Sequence, residues 1–169
     1  YVSFTVDNTP YRTQVGDNGI ATITLTEAPG DYNVNIVNTK TGESATHKIK
    51  INKASANLQA TAKDIAEGEN AVIDISSKVQ NAEVTLTINN KNYPATLEKG
   101  KAKVTISNLT AGKYPYTVKF AGNDNYTAQS ISGTLNVKSD SVIITAENVS
   151  KFYGGSERFV VKLTDNVGN

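Results

Sequence analysis

Residues Val84 to Ile88 read Val-Thr-Leu-Thr-Ile, an alternation of apolar and polar side chains. Because successive side chains of a β-strand point to opposite faces, this spacing predicts a strand with one dry face and one wet face. The same spacing recurs along the chain at Val2, Phe4, Val6; Ile23, Leu25; Tyr32, Val34, Ile36; Ile49, Ile51; Ile73, Ile75; Val104, Ile106; Tyr114, Tyr116, Val118, Phe120; Leu135, Val137; and Phe159, Val161, Leu163. No comparable pattern follows the helical period. The sequence therefore predicts antiparallel sheets packed in pairs.

The composition favours the same fold class. Thr, Val and Ile supply 20, 16 and 13 of the 169 residues, whereas Leu supplies only seven. Residues branched at Cβ are enriched in strands. Turn residues such as Asp17-Asn18-Gly19 and Ala111-Gly112 separate the runs at intervals of roughly 8–12 residues, which is typical of a β-sandwich. We therefore expect an all-β protein.

The residue types that are missing exclude several kinds of site. The chain has no Cys, Met or Trp, and His47 is its only His. A disulfide framework, a Cys-zinc site, a thiol nucleophile and a His-rich metal centre therefore cannot form. No Asp or Glu stands in a recognisable catalytic context. We expect no enzyme activity, no metal and no cofactor.

Charge and hydropathy limit the partners. The net charge is +1, from 17 basic and 16 acidic residues, so the chain lacks the basic signature of nucleic-acid or anionic-lipid binding. No apolar run approaches the roughly 18 residues of a membrane span. The chain begins at Tyr1 without a segment that resembles a signal peptide, so we expect an internal part of a longer polypeptide.

Distant segments of the chain resemble each other. The residues from Val2 correspond to those from Val84, and Gly30-Asp31-Tyr32 corresponds to Gly112-Lys113-Tyr114. The segment that begins at Thr61 resembles the one that begins at Thr145, which predicts a repeat of about 84 residues.

This period predicts three domains. Residues 54–140 hold a complete repeat, residues 1–53 the C-terminal part of a preceding repeat, and residues 141–169 the N-terminal part of the next. Half a sandwich leaves its inner face and sheet edge uncovered. The fragments could be completed in a covalent tandem array, by strand addition between copies head to tail, or within one chain. The third arrangement is disfavoured, because a sandwich with an odd number of strands begins and ends at opposite poles.

The segments Gly112-Lys113-Tyr114 and Tyr116 to Val137 resemble the bacterial and archaeal immunoglobulin-like repeats of very long surface proteins. The segment from Phe152 to Phe159, with residues 162–169, is especially similar to the repeats of methanogen adhesin-like proteins. The resemblance covers essentially the whole chain and implies a secreted, surface-anchored, rod-like array. The incomplete flanking repeats depart from the family pattern.

The tyrosines admit two interpretations. Tyr32 and Tyr114 each stand two residues after a Gly at the predicted start of a strand, where a phenol can bond to the upstream loop, as in the tyrosine corner of sandwich folds. Tyr93 and Tyr126 are predicted at loops or strand edges, where their rings could stack on a glycan.

Three triplets match the acceptor sequence for N-glycosylation, and they begin at Asn108, Asn125 and Asn148. Their modification would require export.

Two functions follow from these observations. The first is a structural repeat of an extracellular, cell-surface stalk or filament of the adhesin-like type, whose partners are neighbouring repeats or copies. The alternative is a carbohydrate-binding surface module that recognises cell-wall or host glycans.

Overall fold

A computed structural model describes residues 1–139 and 141–164, so Asp140 and residues 165–169 of the predicted domains lie outside it. The described residues form strands and loops without any helix, which confirms the all-β prediction. No segment of this part of the chain is therefore a candidate membrane-spanning helix. Two compact units are present: one holds Tyr1–Ala56 and Gly122–Ala128, and the other holds Asn57–Ala121 and the described residues from Gln129 onward.

The first unit is built on one antiparallel sheet of four strands in the order β2-β1-β3-β4. Its strands are β1 (Val2–Val6), β2 (Thr9–Thr13), β3 (Gly30–Asn38) and β4 (Ser44–Ile51). Val6 and Val34 are directly opposed across β1 and β3, and both are buried. Phe4 and Ile36, the next pair on the same face, are only half-buried.

The strand predicted at Ile23 and Leu25 is wrong, because residues 14–29 contain no strand. The alternation itself persists: Ala21, Ile23 and Leu25 are half-buried, whereas the threonines between them are exposed. A strand is defined by hydrogen bonds to a neighbour. None of residues 1–139 or 141–164 forms a ladder with this segment.

The second unit is built on a sheet of eight strands in the order β5-β7-β10-β9-β8-β11-β12-β6. Its strands are β5 (Gln59–Ala62), β6 (Ile65–Ala66), β7 (Ala71–Ser76), β8 (Asn81–Ile88), β9 (Lys91–Glu98), β10 (Lys101–Ile106), β11 (Gly112–Phe120) and β12 (Gln129–Lys138). Strands β9 and β10 meet at only one residue pair, Glu98 and Lys101, which divides the sheet into two groups of strands.

The core of the second unit is apolar and draws on both groups of strands. Its largest fully buried side chains are Ile73, Ile75, Val84, Leu86, Ile88, Leu97, Val118 and Leu135. Among the described residues, no polar or charged side chain is buried. Burial from both groups is consistent with a β-sandwich, in which two inner faces share one core.

Two further strands, β13 (Ile143–Ala146) and β14 (Val161–Thr164), form an antiparallel hairpin. Among the described residues they pair only with each other. The predicted run at Phe159, Val161 and Leu163 is a strand only from Val161 onward. The apolar side chains of both strands of the hairpin are exposed, which distinguishes it from every other strand pair described.

Candidate functional site

The hairpin of β13 and β14 reproduces the pairing of β5 with β7. In both pairs, two apolar residues of the first strand face two apolar residues of the second. The matched pairs are Ala60 with Ile75 and Ala62 with Ile73 in the second unit, and Ile144 with Leu163 and Ala146 with Val161 in the hairpin. The hairpin therefore presents the same apolar face as an edge of the folded sandwich.

The surroundings of the two strand pairs differ. Ile73 and Ile75 are 0% and 2% exposed, since β10 pairs with the free edge of β7 and the core covers its inner face. Val161 and Leu163 are 45% and 61% exposed. An isolated two-stranded hairpin is marginally stable in water, and an exposed apolar face marks an interaction surface. We call the exposed apolar face formed by Ile144, Ala146, Val161 and Leu163 the hairpin surface.

The sheet of the first unit has a counterpart in strands β9-β8-β11-β12 of the second unit. The two share their strand order, and the registers between the matched strands β1, β2, β3 and β8, β9, β11 agree throughout. The matched pairs are Phe4 with Ile36 and Val6 with Val34 in the first unit, and Leu86 with Val118 and Ile88 with Tyr116 in the second, each numbered 82 higher. The β1–β2 and β8–β9 registers recur at the same offset.

The two matched sheets differ in how far their apolar side chains are buried. Leu86, Val118 and Leu135 are fully buried in the second unit, where strands β5, β7 and β10 supply the facing apolar layer. In the first unit, Phe4 and Ile36 are half-buried. The first unit therefore has a counterpart of the β9-β8-β11-β12 sheet whose inner face is only partly buried. The hairpin has a counterpart of β5 and β7 whose apolar face is exposed.

The segment Ile20–Leu25 follows β2 as β10 follows β9. Gly19 immediately precedes it with a φ of 77°, and Gly100 immediately precedes β10 with a φ of 76°. Glycine suits this left-handed conformation because it has no Cβ. The two segments therefore leave their preceding turns in the same backbone conformation.

The hydroxyl groups of Tyr32 and Tyr114 make matching hydrogen bonds. Tyr32 donates to the carbonyl of Ala28 at 2.7 Å, and Tyr114 donates to the carbonyl of Thr110 at 3.0 Å. The Tyr114 hydroxyl also lies 3.1 Å from Thr110 Oγ1. In both cases the bond spans four residues and ties the start of a strand to the loop before it.

Tyr93 and Tyr126 belong to different units. Tyr93 lies on β9 opposite Leu86 and is half-buried. Tyr126 is also half-buried, and it forms an isolated backbone bridge with Ala54 in the first unit. Neither tyrosine is fully exposed.

The three acceptor asparagines Asn108, Asn125 and Asn148 are exposed and lie outside the strands. Asn108 has a φ of 60°, a conformation that Asn tolerates better than most residues. A structural demand at this turn is therefore sufficient to explain that asparagine.

The titratable groups are dispersed. His47 is exposed on β4 opposite Val34. Within residues 1–139 and 141–164, no three His, Asp or Glu side chains cluster as metal ligands would. The ion pair between Lys103 Nζ and Asp74 Oδ1, at 3.2 Å, lies on the outer face of β10 and β7.

Two interactions were not anticipated from the sequence. The hydroxyl of Tyr11 donates a short hydrogen bond to the carboxylate of Glu27, and this bond lowers the pKa of Glu27 below its ordinary value. Burial of Tyr116 raises the pKa of its phenol. Both depend on long-range pairing that the local pattern does not encode.

No family model matches this sequence, and no curated protein matches it. Among solved structures, the chain is similar to the Bacteroides ovatus mixed-linkage glucan utilization locus SGBP-B in complex with a mixed-linkage heptasaccharide, with 18% sequence identity and a TM-score of 0.31. The match covers 88% of this chain and 41% of that chain, so this chain spans less than half of that structure. A likeness of this size carries no argument about function.

Proposed function

We propose that this chain is a non-catalytic structural segment of an extracellular, cell-surface stalk or filament of the adhesin-like type, built from tandem immunoglobulin-like repeats of about 84 residues. In this proposal, residues 54–140 form one complete repeat. Residues 1–53 and the residues from 141 onward are parts of two further repeats, which neighbouring repeats or copies complete. Cell adhesion is then a property of the whole assembly.

One observation carries this proposal: matched strands pair in the same registers, but their apolar side chains are buried to different extents. The β1–β3 pairing matches β8–β11, and the hairpin matches β5–β7. Phe4 and Ile36 are nevertheless half-buried where Leu86 and Val118 are fully buried, and the apolar side chains of the hairpin are exposed. Apolar surface removed from water contributes about 25 cal/mol per Å². The exposed apolar residues therefore favour association with a complementary surface.

The strand arrangement of the second unit supports an immunoglobulin-like repeat. Strand β5 pairs with β7, and the short β6 pairs in parallel with β12. Counting β5 and β6 as two halves of one strand leaves seven strands, the number in the constant-type immunoglobulin sandwich. The hydrogen bonds of Tyr32 and Tyr114 fit the tyrosine corner that such sandwiches contain.

The proposal includes export of the protein, and N-glycosylation at the three acceptor sequences would be evidence of it. Glycans at Asn108, Asn125 and Asn148 would decorate an archaeal or bacterial surface filament. Intact-mass measurement on native material tests this. Added hexose that falls by the mass of one glycan in the Asn125→Gln variant would support it, and an unmodified mass would remove the glycoprotein part of the proposal.

Small-angle scattering of the full chain over a concentration series tests the structural role. We expect linear assemblies that lengthen with concentration. Leu163→Glu places a carboxylate on the hairpin surface and should abolish this growth, whereas Lys162→Glu places the same charge on the opposite face of β14 and should preserve it. A chain that stays monomeric at every concentration would contradict the proposal, as would equal effects of the two variants.

A further inference from the structure

We infer that β14 binds, as an antiparallel strand, to the segment Ile20–Leu25 of a second copy of this chain, in one defined register. This inference rests on the proposed function, because it specifies how two partial domains complete each other. The two interaction surfaces are the free edge of β14 on one copy and the segment Ile20–Leu25 on the other.

The second unit supplies the template. Strand β7 pairs with β5 on one edge and with β10 on the other. Its residues Ile73 and Ile75 are opposed to Val104 and Ala102 of β10, and both isoleucines are buried. A strand in the position of β7 therefore has both of its edges paired only when β10 completes the ladder.

The hairpin reproduces the first half of this template. Val161 and Leu163 take the positions of Ile73 and Ile75 relative to their partner strand. The other edge of β14 has no ladder partner among the described residues. An exposed strand edge with an apolar face readily pairs with another chain.

The segment Ile20–Leu25 reproduces the second half. It follows a left-handed glycine, as β10 does, and its half-buried residues alternate with exposed threonines. Ile20 itself is exposed. Of the non-strand segments that the structure describes, this one has the alternating apolar pattern of a strand and lacks a ladder.

Transfer of the β7–β10 register to these two segments predicts a specific set of opposed residues. The predicted pairs are Ile20 with Thr164, Ala21 with Leu163, Thr22 with Lys162, Ile23 with Val161, Thr24 with Val160, and Leu25 with Phe159. Apolar residues then meet apolar residues on the inner face. On the outer face, Thr22 and Lys162 occupy the places of Lys103 and Asp74, whose side chains touch in the template.

The alternation of apolar and polar residues restricts the register in which the two segments can pair. A slip of one residue would oppose the threonines to Val161 and Leu163, so the burial pattern excludes it. A slip of two residues preserves the faces and would oppose Thr24 to Lys162. A test of the register must therefore distinguish whether Thr22 or Thr24 lies opposite Lys162.

The intervening repeat favours a second copy as the partner. A complete sandwich with seven strands receives the chain at one pole and releases it at the other. Residues 54–140 separate the two segments in the sequence, and strand addition head to tail lets the hairpin of each copy pair with the next copy. Closure within one chain is a separate outcome of the same experiment.

Disulfide trapping between full-length chains tests the pairing. The protein has no Cys, so introduced thiols are the only ones present. Size-tagged Thr22→Cys is mixed with Lys162→Cys, and size-tagged Thr24→Cys with Lys162→Cys is the matched control. All three positions are exposed, so the substitutions should preserve the fold, which circular dichroism checks.

We expect the Thr22→Cys mixture to form the linked heterodimer at least about tenfold faster than the control, because a diagonal neighbour is too far away for an unstrained disulfide. Equal rates would overturn the register. A disulfide that closes within single chains of Thr22→Cys/Lys162→Cys, without heterodimers in the mixture, would overturn the second copy as the partner.

If the unmodified chain still assembles in scattering while trapping fails, this inference fails and the proposed function stands. If the unmodified chain stays monomeric, the proposed function itself has failed.

Discussion

The ring of Tyr116 covers Gly133, the residue directly opposite it on β12, so closely that a Cβ on Gly133 would overlap Cζ and Oη of the ring. Tyr116 is buried, and its ring fills the space that a side chain at Gly133 would occupy. An aromatic residue opposite a strand glycine restores the packing that the glycine lacks. In the first unit, the residue that corresponds to Tyr116 is Val34, and it lies opposite the exposed His47.

Gly133→Ala should therefore destabilise the second unit by about 1–3 kcal/mol, because the new methyl group forces the buried ring to move. Chemical denaturation monitored by tyrosine fluorescence measures the change in the free energy of unfolding.

The control is the same substitution in a Tyr116→Val background, which provides the smaller residue of the first unit. There the added methyl group should cost less, giving a coupling energy of at least about 0.5 kcal/mol in a double-mutant cycle. Equal costs in both backgrounds would show that the ring is not the obstacle.

Burial of Tyr116 also predicts a loss of stability at alkaline pH. Its pKa is raised in the folded state, so the folded protein retains the proton where the unfolded chain releases it. This contribution is fully present below the unfolded-state pKa of about 10 and is lost as the pH rises through the folded-state pKa. Between about pH 9 and 11, the free energy of unfolding should fall more steeply for the unmodified chain than for Tyr116→Phe. Parallel profiles would contradict this assignment.

The hydrogen bond of Tyr114 predicts a local effect on stability. Tyr114→Phe removes the bond to the carbonyl of Thr110 and should cost about 0.5–1.5 kcal/mol in thermal or chemical unfolding. Tyr93→Phe is the matched control, because the Tyr93 hydroxyl has no described hydrogen-bond partner within the protein. A similar loss in both variants would indicate that the Tyr114 bond contributes nothing beyond packing.

Local alternation predicted most strands of this chain. The runs at Val84, Tyr114 and Leu135 are strands with the expected buried faces, because one dry face per strand is a property of neighbouring residues. Among the predicted strands, the run at Ile23 and Leu25 is not a strand. Its pattern is that of a strand, but strand formation also requires a partner that the pattern does not contain.

The candidate site was less accessible to prediction. The overlap of Tyr116 with Gly133 depends on the register of β11 and β12, and the bond from Tyr11 to Glu27 joins a strand to a distant loop. The sequence indicated that residues 141–169 form part of a domain. Only the pairing within β13 and β14 identified which apolar residues of that part share one exposed face.

Direct glycan recognition predicts a different set of sensitive residues. Under the structural proposal, Tyr93→Ala and Tyr126→Ala should leave the behaviour of the chain on a glycan array unchanged, since neither ring belongs to the hairpin surface. Leu163→Glu, tested on the same array, controls for binding that depends on assembly. Reproducible binding to one class of polysaccharide that either tyrosine variant abolishes would instead support the carbohydrate-binding alternative.

Amide hydrogen exchange over a dilution series tests the central claim most directly, because it reports whether a second copy completes the partial domains. Residues 20–25 and 161–164 should exchange at least about tenfold more slowly at high protein concentration than at low concentration, as each segment gains a ladder partner. Core amides such as those of Leu86 and Val118 should exchange at the same rate throughout. Exchange at residues 20–25 and 161–164 that does not depend on concentration would contradict the account.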